Sequence, residues 1–411
     1  MTEQLHQYRQ EMQKELAAIL AYWKRCTPDL VHGGFAGKID HENNLVPDAP
    51  KGAVLHARIL WTFSAAFRFT NNYDDAVIAA KAYDYLNRYF VDTTYGGVYW
   101  SVTADGQPLD RKKQVYAVSF VIYALAEYYR LHPKQEVLQK AQELYRLLTV
   151  HAYDAEHGGF IEALAEDWSK MDDYRLSDKD SNTPKSMNTM LHVMEAFTNL
   201  YRVWPDKELK QHLTALIQIF CDKIIHPVTG HLQLFFSENW EAQGHEVSFG
   251  HDIEASWLVQ EAAEVLGNEE LLSIAKQKAM QMAYATVKGL DGDGSLWNES
   301  DTTYTHWSRE KHWWPQAEAM VGFFNAWQLT GDEIWLQRSL RSWEFVKTVL
   351  KDPAGEWHWG VDANYKTLQE DKAGFWKCPY HNSRACMELI TRIRSVLETG
   401  SIKQFRYETS L

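Results

Sequence analysis

The sequence predicts an all-α chain folded as a single (α/α)6 barrel over residues 1-411, with six outer–inner helix pairs and long loops gathered at one end. Three observations lead there. Glycine-centred turns recur six times, at Gly33-Gly34-Phe35, Gly96-Gly97-Val98, Gly158-Gly159-Phe160, Thr229-Gly230-His231, Gly292-Asp293-Gly294 and Ala354-Gly355-Glu356. Their interval is roughly 60 to 70 residues, which marks a repeated unit rather than scattered loops. Each turn leads through an irregular stretch into an apolar helical segment, and most of these segments end at a signal that starts an amphipathic one.

In chain order, the stretch at about 3-24 alternates polar and apolar residues at helical spacing and counts as the first outer helix. The inner segments fall at about 51-68, 111-130, 186-203, 249-266, 311-329 and 381-397, several of them apolar nearly all round, as helices buried on every side require. Met187 to Tyr201 and Ala319 to Leu329 show this best. Between helices, Asn71-Asn72-Tyr73-Asp74, His132-Pro133-Lys134, Pro205-Asp206-Lys207, Gly267-Asn268-Glu269 and Gly331-Asp332-Glu333 supply breakers and capping side chains. The outer segments that follow, such as Asp75 to Phe90 and Asp332 to Leu350, mix charge with apolar residues. Short inner-to-outer turns and long outer-to-inner connections make all inner helices run one way. Their N-termini then share the end where the long loops lie.

Composition narrows the function. A net charge of -13 without any run of Lys and Arg opposes a polyphosphate, so nucleic acid is not an expected partner. Cys26, Cys221, Cys378 and Cys386 show no CxxC or paired spacing, which reads as free thiols in a reducing compartment. No segment reaches the roughly 18 apolar residues of a membrane span and Met1 to Lys14 is no leader, so a cytoplasmic location without membrane contact is expected. Aromatic residues make up 13% of the chain and include 17 tryptophans, the type that sugar clefts use for stacking and that a large aromatic core would also hold.

Arg58, Tyr116, His192, His251, Trp314, Glu318 and His381 fall in the first turns of inner segments. Residues distant in sequence therefore converge on one cavity. Imidazoles that titrate near neutrality suit removal of a carbon-bound proton, such as the hydrogen on C2 of an open-chain sugar. A buried guanidinium keeps its charge and holds two oxygens at once, which suits an enediolate. Inversion at C2 further requires return of the proton on the other face, by two opposed groups or by rotation of the intermediate past one. Two rival readings use the same region. Glu254 and Glu318 could serve as the carboxylate pair of a glycosidase, about 5 to 9.5 Å apart. His192 and Glu195 stand one helical turn apart, as metal ligands do, but no second pair completes a shell, and no metal is expected.

The strings Lys185-Ser186-Met187-Asn188-Thr189, His251-Asp252-Ile253-Glu254-Ala255-Ser256-Trp257 and Trp313-Trp314-Pro315-Gln316-Ala317-Glu318, with Arg58, Trp376 and His381, carry a family resemblance across nearly the whole chain. The sequence resembles the N-acylglucosamine 2-epimerase superfamily and, within it, the cellobiose 2-epimerases. The resemblance implies cofactor-free interconversion of reducing-end glucose and mannose in β-1,4-linked disaccharides such as cellobiose and lactose, through ring opening and a cis-enediolate. It implies His251 and His381 as proton carriers, His192 as the group polarising the O1/O2 region and Arg58 as the enediolate's cation. Tyr116, Asn188, Glu254 and Glu318 would orient hydroxyls or histidines, and Trp313, Trp314 and Trp376 would stack on sugar faces, Trp376 on a second unit. The superfamily also covers monosaccharide epimerases and aldose–ketose isomerases of mannose, glucose and fructose, so that alternative stays open. So does a non-catalytic sugar-binding or protein-interaction barrel. No glycine-rich phosphate loop is present, and a nucleotide cofactor is not expected. A monomer or weak homodimer is the expected state.

Overall fold

The computed structural model of the chain describes residues 1–400 and 402. Its helices alternate as the repeat predicts. The inner ring consists of α2 (Ala53–Thr70), α4 (Val115–Leu131), α6 (Met187–Val203), α8 (Phe249–Leu266), α10 (Trp313–Thr330) and α12 (Tyr380–Thr399). The outer set is α1 (Thr2–Cys26), α3 (Tyr73–Tyr85), α5 (Gln135–Leu147), α7 (Lys207–Ile219), α9 (Glu269–Thr286) and α11 (Glu333–Phe345). Neighbouring inner helices pack side by side from α2 round to α12, and α12 against α2 closes the ring. Each of α3, α5, α7, α9 and α11 lies outside the inner helix that precedes it, whereas α1 lies against α12, at the other end of the chain. Polar contacts reinforce that closure, with Trp357 Nε1 donating to Glu15 Oε1 at 2.7 Å and Tyr8 hydrogen-bonded to Ser339 at 3.1 Å.

Local chemistry sets the helix boundaries. Ser186, Asp206, Asn268 and Asp332 accept backbone N–H bonds at the starts of α6, α7, α9 and α11, satisfying donors that have no intrahelical partner. Gly267 and Gly331 end α8 and α10 at φ 71° and 74°, a left-handed conformation that glycine adopts without steric cost. In α10 every residue from Pro315 to Gln328 is buried. This is why the inner segments lack a polar stripe.

The loop end contains more order than an all-α reading foresees. Single bridges close the six glycine turns as hairpins: Pro28–Phe35, Val91–Val98, Tyr153–Phe160, Ile225–Leu232, Leu290–Leu296 and Lys351–Trp357. Short antiparallel strands then join the residues entering one inner helix to the loop of the next repeat. Lys51–Gly52 pairs with Ser101–Val102, Lys113–Gln114 with Ala163–Leu164, Lys185–Ser186 with Phe235–Phe236, Glu246–Ser248 with Glu299–Asp301 and Lys311–His312 with Gly360–Val361. The bridge between Ile39 and Ala373 joins the last repeat to the first. Strands of two or three residues carry no legible alternation, so periodicity alone does not reveal them.

A buried lysine at five of the six inner-helix entries reaches the acid of its glycine turn. Lys51 meets Asp29 at 2.7 Å, Lys113 meets Asp92 at 2.5 Å, Lys185 meets Asp154 at 2.7 Å, Lys311 meets Asp291 and Asp293 at 2.8 Å, and Lys377 meets Glu356 at 2.9 Å. The fourth repeat substitutes His231 against Asp252 at 2.5 Å. These struts fix the N-termini of the inner helices against the rim. Among the described residues no helix is long and apolar enough to cross a membrane.

Candidate active site

The first turns of all six inner helices meet inside this rim. Arg58 of α2 is buried, its Nη2 donates to Tyr116 Oη at 2.8 Å, and its guanidinium lies 4.2 Å from the Phe120 ring centre. Burial works against its charge, but Tyr116, Cys378, Tyr380 and Glu254 more than offset that, so it is held above the ordinary arginine value. It is a permanent cation. The Tyr116 ring meets His192 edge-on at 5.0 Å and Trp376 at 6.1 Å.

Each of the three histidines commits Nδ1 to the protein. His192 Nδ1 bonds Glu195 Oε2 at 2.9 Å, His251 Nδ1 bonds Ser248 Oγ at 2.8 Å and His381 Nδ1 bonds Glu318 Oε1 at 2.7 Å. Among the described residues the Nε2 atoms make no hydrogen bond to protein and are not sealed from solvent. A neutral imidazole that donates from Nδ1 carries its lone pair on Nε2, the arrangement a base needs. Burial, with the charge of His192, drives His251 down to about 3. Burial, then Arg58 and Arg384, holds His381 well below the ordinary histidine range. For His192 burial outweighs the Glu195 bond and its pKa also falls.

Trp314 spans the two imidazoles, its ring 4.7 Å from His251 and 5.6 Å from His381. Gly250 makes room for it: a Cβ there would stand 2.5 Å from the Trp314 ring and 2.9 Å from Pro315. Asn188 and His251 line a cavity of about 170 Å³ that continues past Ser248 to the loop bearing Lys179 and Asp180. Asn188 Oδ1 is buried there without a hydrogen-bond donor among the described residues. Half-buried Trp376 leans on Trp100 at 5.9 Å and on Tyr116.

Below the histidines lies a residue to which the sequence reading gave no role. Arg384 of α12 is buried; its Nη2 donates to Glu254 Oε1 at 2.7 Å and to Glu318 Oε1 at 2.6 Å, while its Nη1 bonds Glu195 and Tyr380. Trp257 Nε1 gives Glu318 Oε2 a further bond at 3.0 Å. Burial and the charge of Glu318 push Glu254 up to about 8. Burial opposes the charge of Glu195, but Arg384 overcomes it and lowers that carboxyl to about 2. Burial raises Glu318 too, but Arg384 and Trp257 oppose it; Glu318 accepts from three donors and Glu254 from one, which favours the charge on Glu318 and the proton on Glu254. Two carboxylates and two guanidiniums then balance around neutral imidazoles. The sequence cue was Arg384 itself, a cation one helical turn after His381 in a buried segment, where it requires carboxylates.

Most of the expected residues come together; Trp313 does not. It is 1% exposed, packs on Trp359 at 4.4 Å and lies under Lys377 at 5.0 Å, turned away from the histidines. Its neighbour Trp314 takes the place in the site. His56 also lies elsewhere, bonded to Gly52 O at 3.0 Å and stacked on Tyr85. Glu254, Glu318 and His381 bring possible ligand atoms within 4.8 Å of one another, and the Arg384 guanidinium already bonds both carboxylates there. That spacing, bridged by one nitrogen, also leaves no room for a sugar between the two acids, as glycoside hydrolysis requires.

Comparison with known proteins gives the same architecture and an epimerase family. A family model described as N-acylglucosamine 2-epimerase matches residues 33–385. A cellobiose 2-epimerase of Bacteroides fragilis is 46% identical over 93% of this chain and 98% of its own length. The solved cellobiose 2-epimerase of Bacillus thermoamylovorans superposes with a TM-score of 0.90 at 39% identity, covering 95% of this chain and 100% of that one. A D-mannose isomerase structure shares the fold, with a TM-score of 0.81 at 21% identity over 93% of this chain and 97% of its own. On this match, the chain belongs to the N-acylglucosamine 2-epimerase family.

Proposed function

We infer that this carbohydrate epimerase inverts C2 of the reducing-end unit of a β-1,4-linked disaccharide such as cellobiose or lactose, with His251 and His381 carrying the proton. The observation that carries the reading is the pair of neutral imidazoles flanking Trp314, each tied at Nδ1 and open at Nε2. Ring opening moves the O1 proton to the ring oxygen, a transfer that His381 can relay. One imidazole then takes the proton from C2, the C–H electron pair forms the C1–C2 double bond, and O1 becomes anionic. Arg58 stabilises that oxygen, while His192 Nε2 accepts from a neighbouring sugar hydroxyl; a single well-placed donor in such a site is worth about 10²- to 10³-fold. The proton passes through the sugar hydroxyls to the second imidazole and returns to C2 on the opposite face. Each positioned proton transfer contributes about 10²- to 10⁴-fold.

Trp376 supports the disaccharide assignment, since it offers a half-buried ring beyond Tyr116 against which a second sugar unit can lie. The relatives named cellobiose 2-epimerase support it too. No cofactor or metal takes part in this scheme. Incubation with cellobiose, lactose, glucose and mannose in heavy water tests it. C2 labelling and mannose-ended products from the disaccharides are expected. Better turnover of free mannose makes the protein a monosaccharide enzyme, and binding without labelling makes it a sugar-binding barrel.

A further inference from the structure

We propose that Arg384 is a positioning residue that orients two of the site's imidazoles from one guanidinium, acting through Glu195 on His192 and through Glu318 on His381. The inference rests on the epimerase reading and extends it to a residue that need not touch the sugar. The geometry is a branched relay. One arm runs from Arg384 Nη1 to Glu195 Oε1 and across that carboxylate to His192 Nδ1 at 2.9 Å from Oε2. The other runs from Arg384 Nη2 to Glu318 Oε1 at 2.6 Å, an oxygen that His381 Nδ1 also bonds at 2.7 Å. The same Nη2 bonds Glu254 at 2.7 Å, while the ring of Trp257, 4.8 Å away, and that of Tyr380, 4.3 Å away, lie against the guanidinium.

A planar fork explains why this residue is arginine. Three carboxylates come from three helices, α6, α8 and α10, and a guanidinium offers donors fixed in one plane to all of them, whereas an ammonium is a point charge on a flexible stem. Glu195 and Glu318, so held, each keep an oxygen aimed at an Nδ1, fixing the tautomer and ring angle that leave Nε2 available. The groups facing this cluster are Arg58 from α2, Tyr116 and Tyr123 from α4, His192 and Glu195 from α6, His251 and Glu254 from α8, Glu318 from α10, Cys378 from the segment before α12, and Tyr380 and His381 from α12. Of these, Arg58 is the other permanent cation. Removing Arg384 therefore both frees the imidazoles and withdraws half the positive charge that keeps them neutral.

The test measures kcat, KM and the pH profile of C2 exchange for Arg384→Gln and Arg384→Lys, scaled to the folded fraction from circular dichroism. For Arg384→Gln, kcat falls about 10²-fold, the cost of small misplacement of reacting groups, while KM stays near wild type. The acid limb moves to higher pH, because a neighbouring positive charge that disfavoured the imidazolium is gone. Arg384→Lys restores the acid limb but not the rate, since it returns the charge without the fork. Wild-type kcat in either folded variant, or an unshifted acid limb in Arg384→Gln, overturns the assignment. Failure of both variants to fold overturns it as well, by making Arg384 a folding residue. Absence of C2 exchange in the wild type sinks the epimerase reading instead.

Discussion

The two ends of the inner helices bury charge in opposite ways. At the far mouth, around a cavity of about 1430 Å³, carboxylates meet arginines directly: Glu127 with Arg68 and with Arg130 at 3.1 Å, and Glu261 with Arg202 at 2.6 Å. Burial opposes the charge of Glu127, but Arg130 and Arg68 more than offset it and hold its pKa at about 2. At the loop end, Arg384 is shared among Glu195, Glu254 and Glu318, and two of those acids hand an oxygen on to an imidazole. Direct pairing satisfies charge and stops there. Sharing leaves neighbouring nitrogens neutral and open, which stores chemical potential for proton transfer rather than stability.

Substitutions at the two ends should separate those roles. The largest effect is expected at the proton carriers: His251→Ala or His381→Asn should lower C2 exchange by about 10²- to 10⁴-fold each, with the melting temperature little changed, as deuterium incorporation and calorimetry would show. Arg58→Lys should follow with a loss of about 10²- to 10³-fold in kcat, because the donor to the enediolate loses its fork. Unaltered exchange in that variant would remove Arg58 from the reaction. The Glu254 and Glu318 pair offers a finer contrast. Glu318→Gln removes the ionised acceptor of His381 and should cost about 10²-fold in kcat. Glu254→Gln mimics an acid that is already protonated, so a loss of less than about tenfold is expected, and equal losses would contradict the protonation assigned here.

The pH profile tests the same contrast in the unmodified protein. The acid limb of kcat should lie well below the ordinary imidazole value of about 6.5, since His251 and His381 are held down by burial. Rate should decline above about 8 as Glu254 loses its proton and places a second negative charge beside the enediolate. Stability has its own sign. Between their ordinary and folded-state values, the imidazoles bind more protons in the unfolded chain than in the fold, so melting temperature falls as pH drops below the ordinary value. The smallest expected effect is at the far mouth, where Arg68→Gln should cost about 1 to 2 kcal/mol of stability, because Glu127 keeps Arg130 and Asn199, with kcat unchanged.

Much of this was legible in the chain before any coordinates. Six glycine turns, breakers and alternating segments gave the inner and outer sets within a few residues, because helical periodicity, capping and glycine's left-handed freedom are properties of neighbouring residues. The placement of Arg58, Tyr116, His192, His251, Trp314, Glu318 and His381 at one end followed from direction alone. Three things were not local. Which of Trp313 and Trp314 faces the cavity depends on the rotation of α10 about its axis, about 100° per residue, and only contact with Trp359 and Lys377 decides it. The partner of α1 is a helix at the opposite end of the sequence. Arg384 draws its meaning from acids on three other helices, and a sequence carries their identities without the distances at which one guanidinium can bind them all.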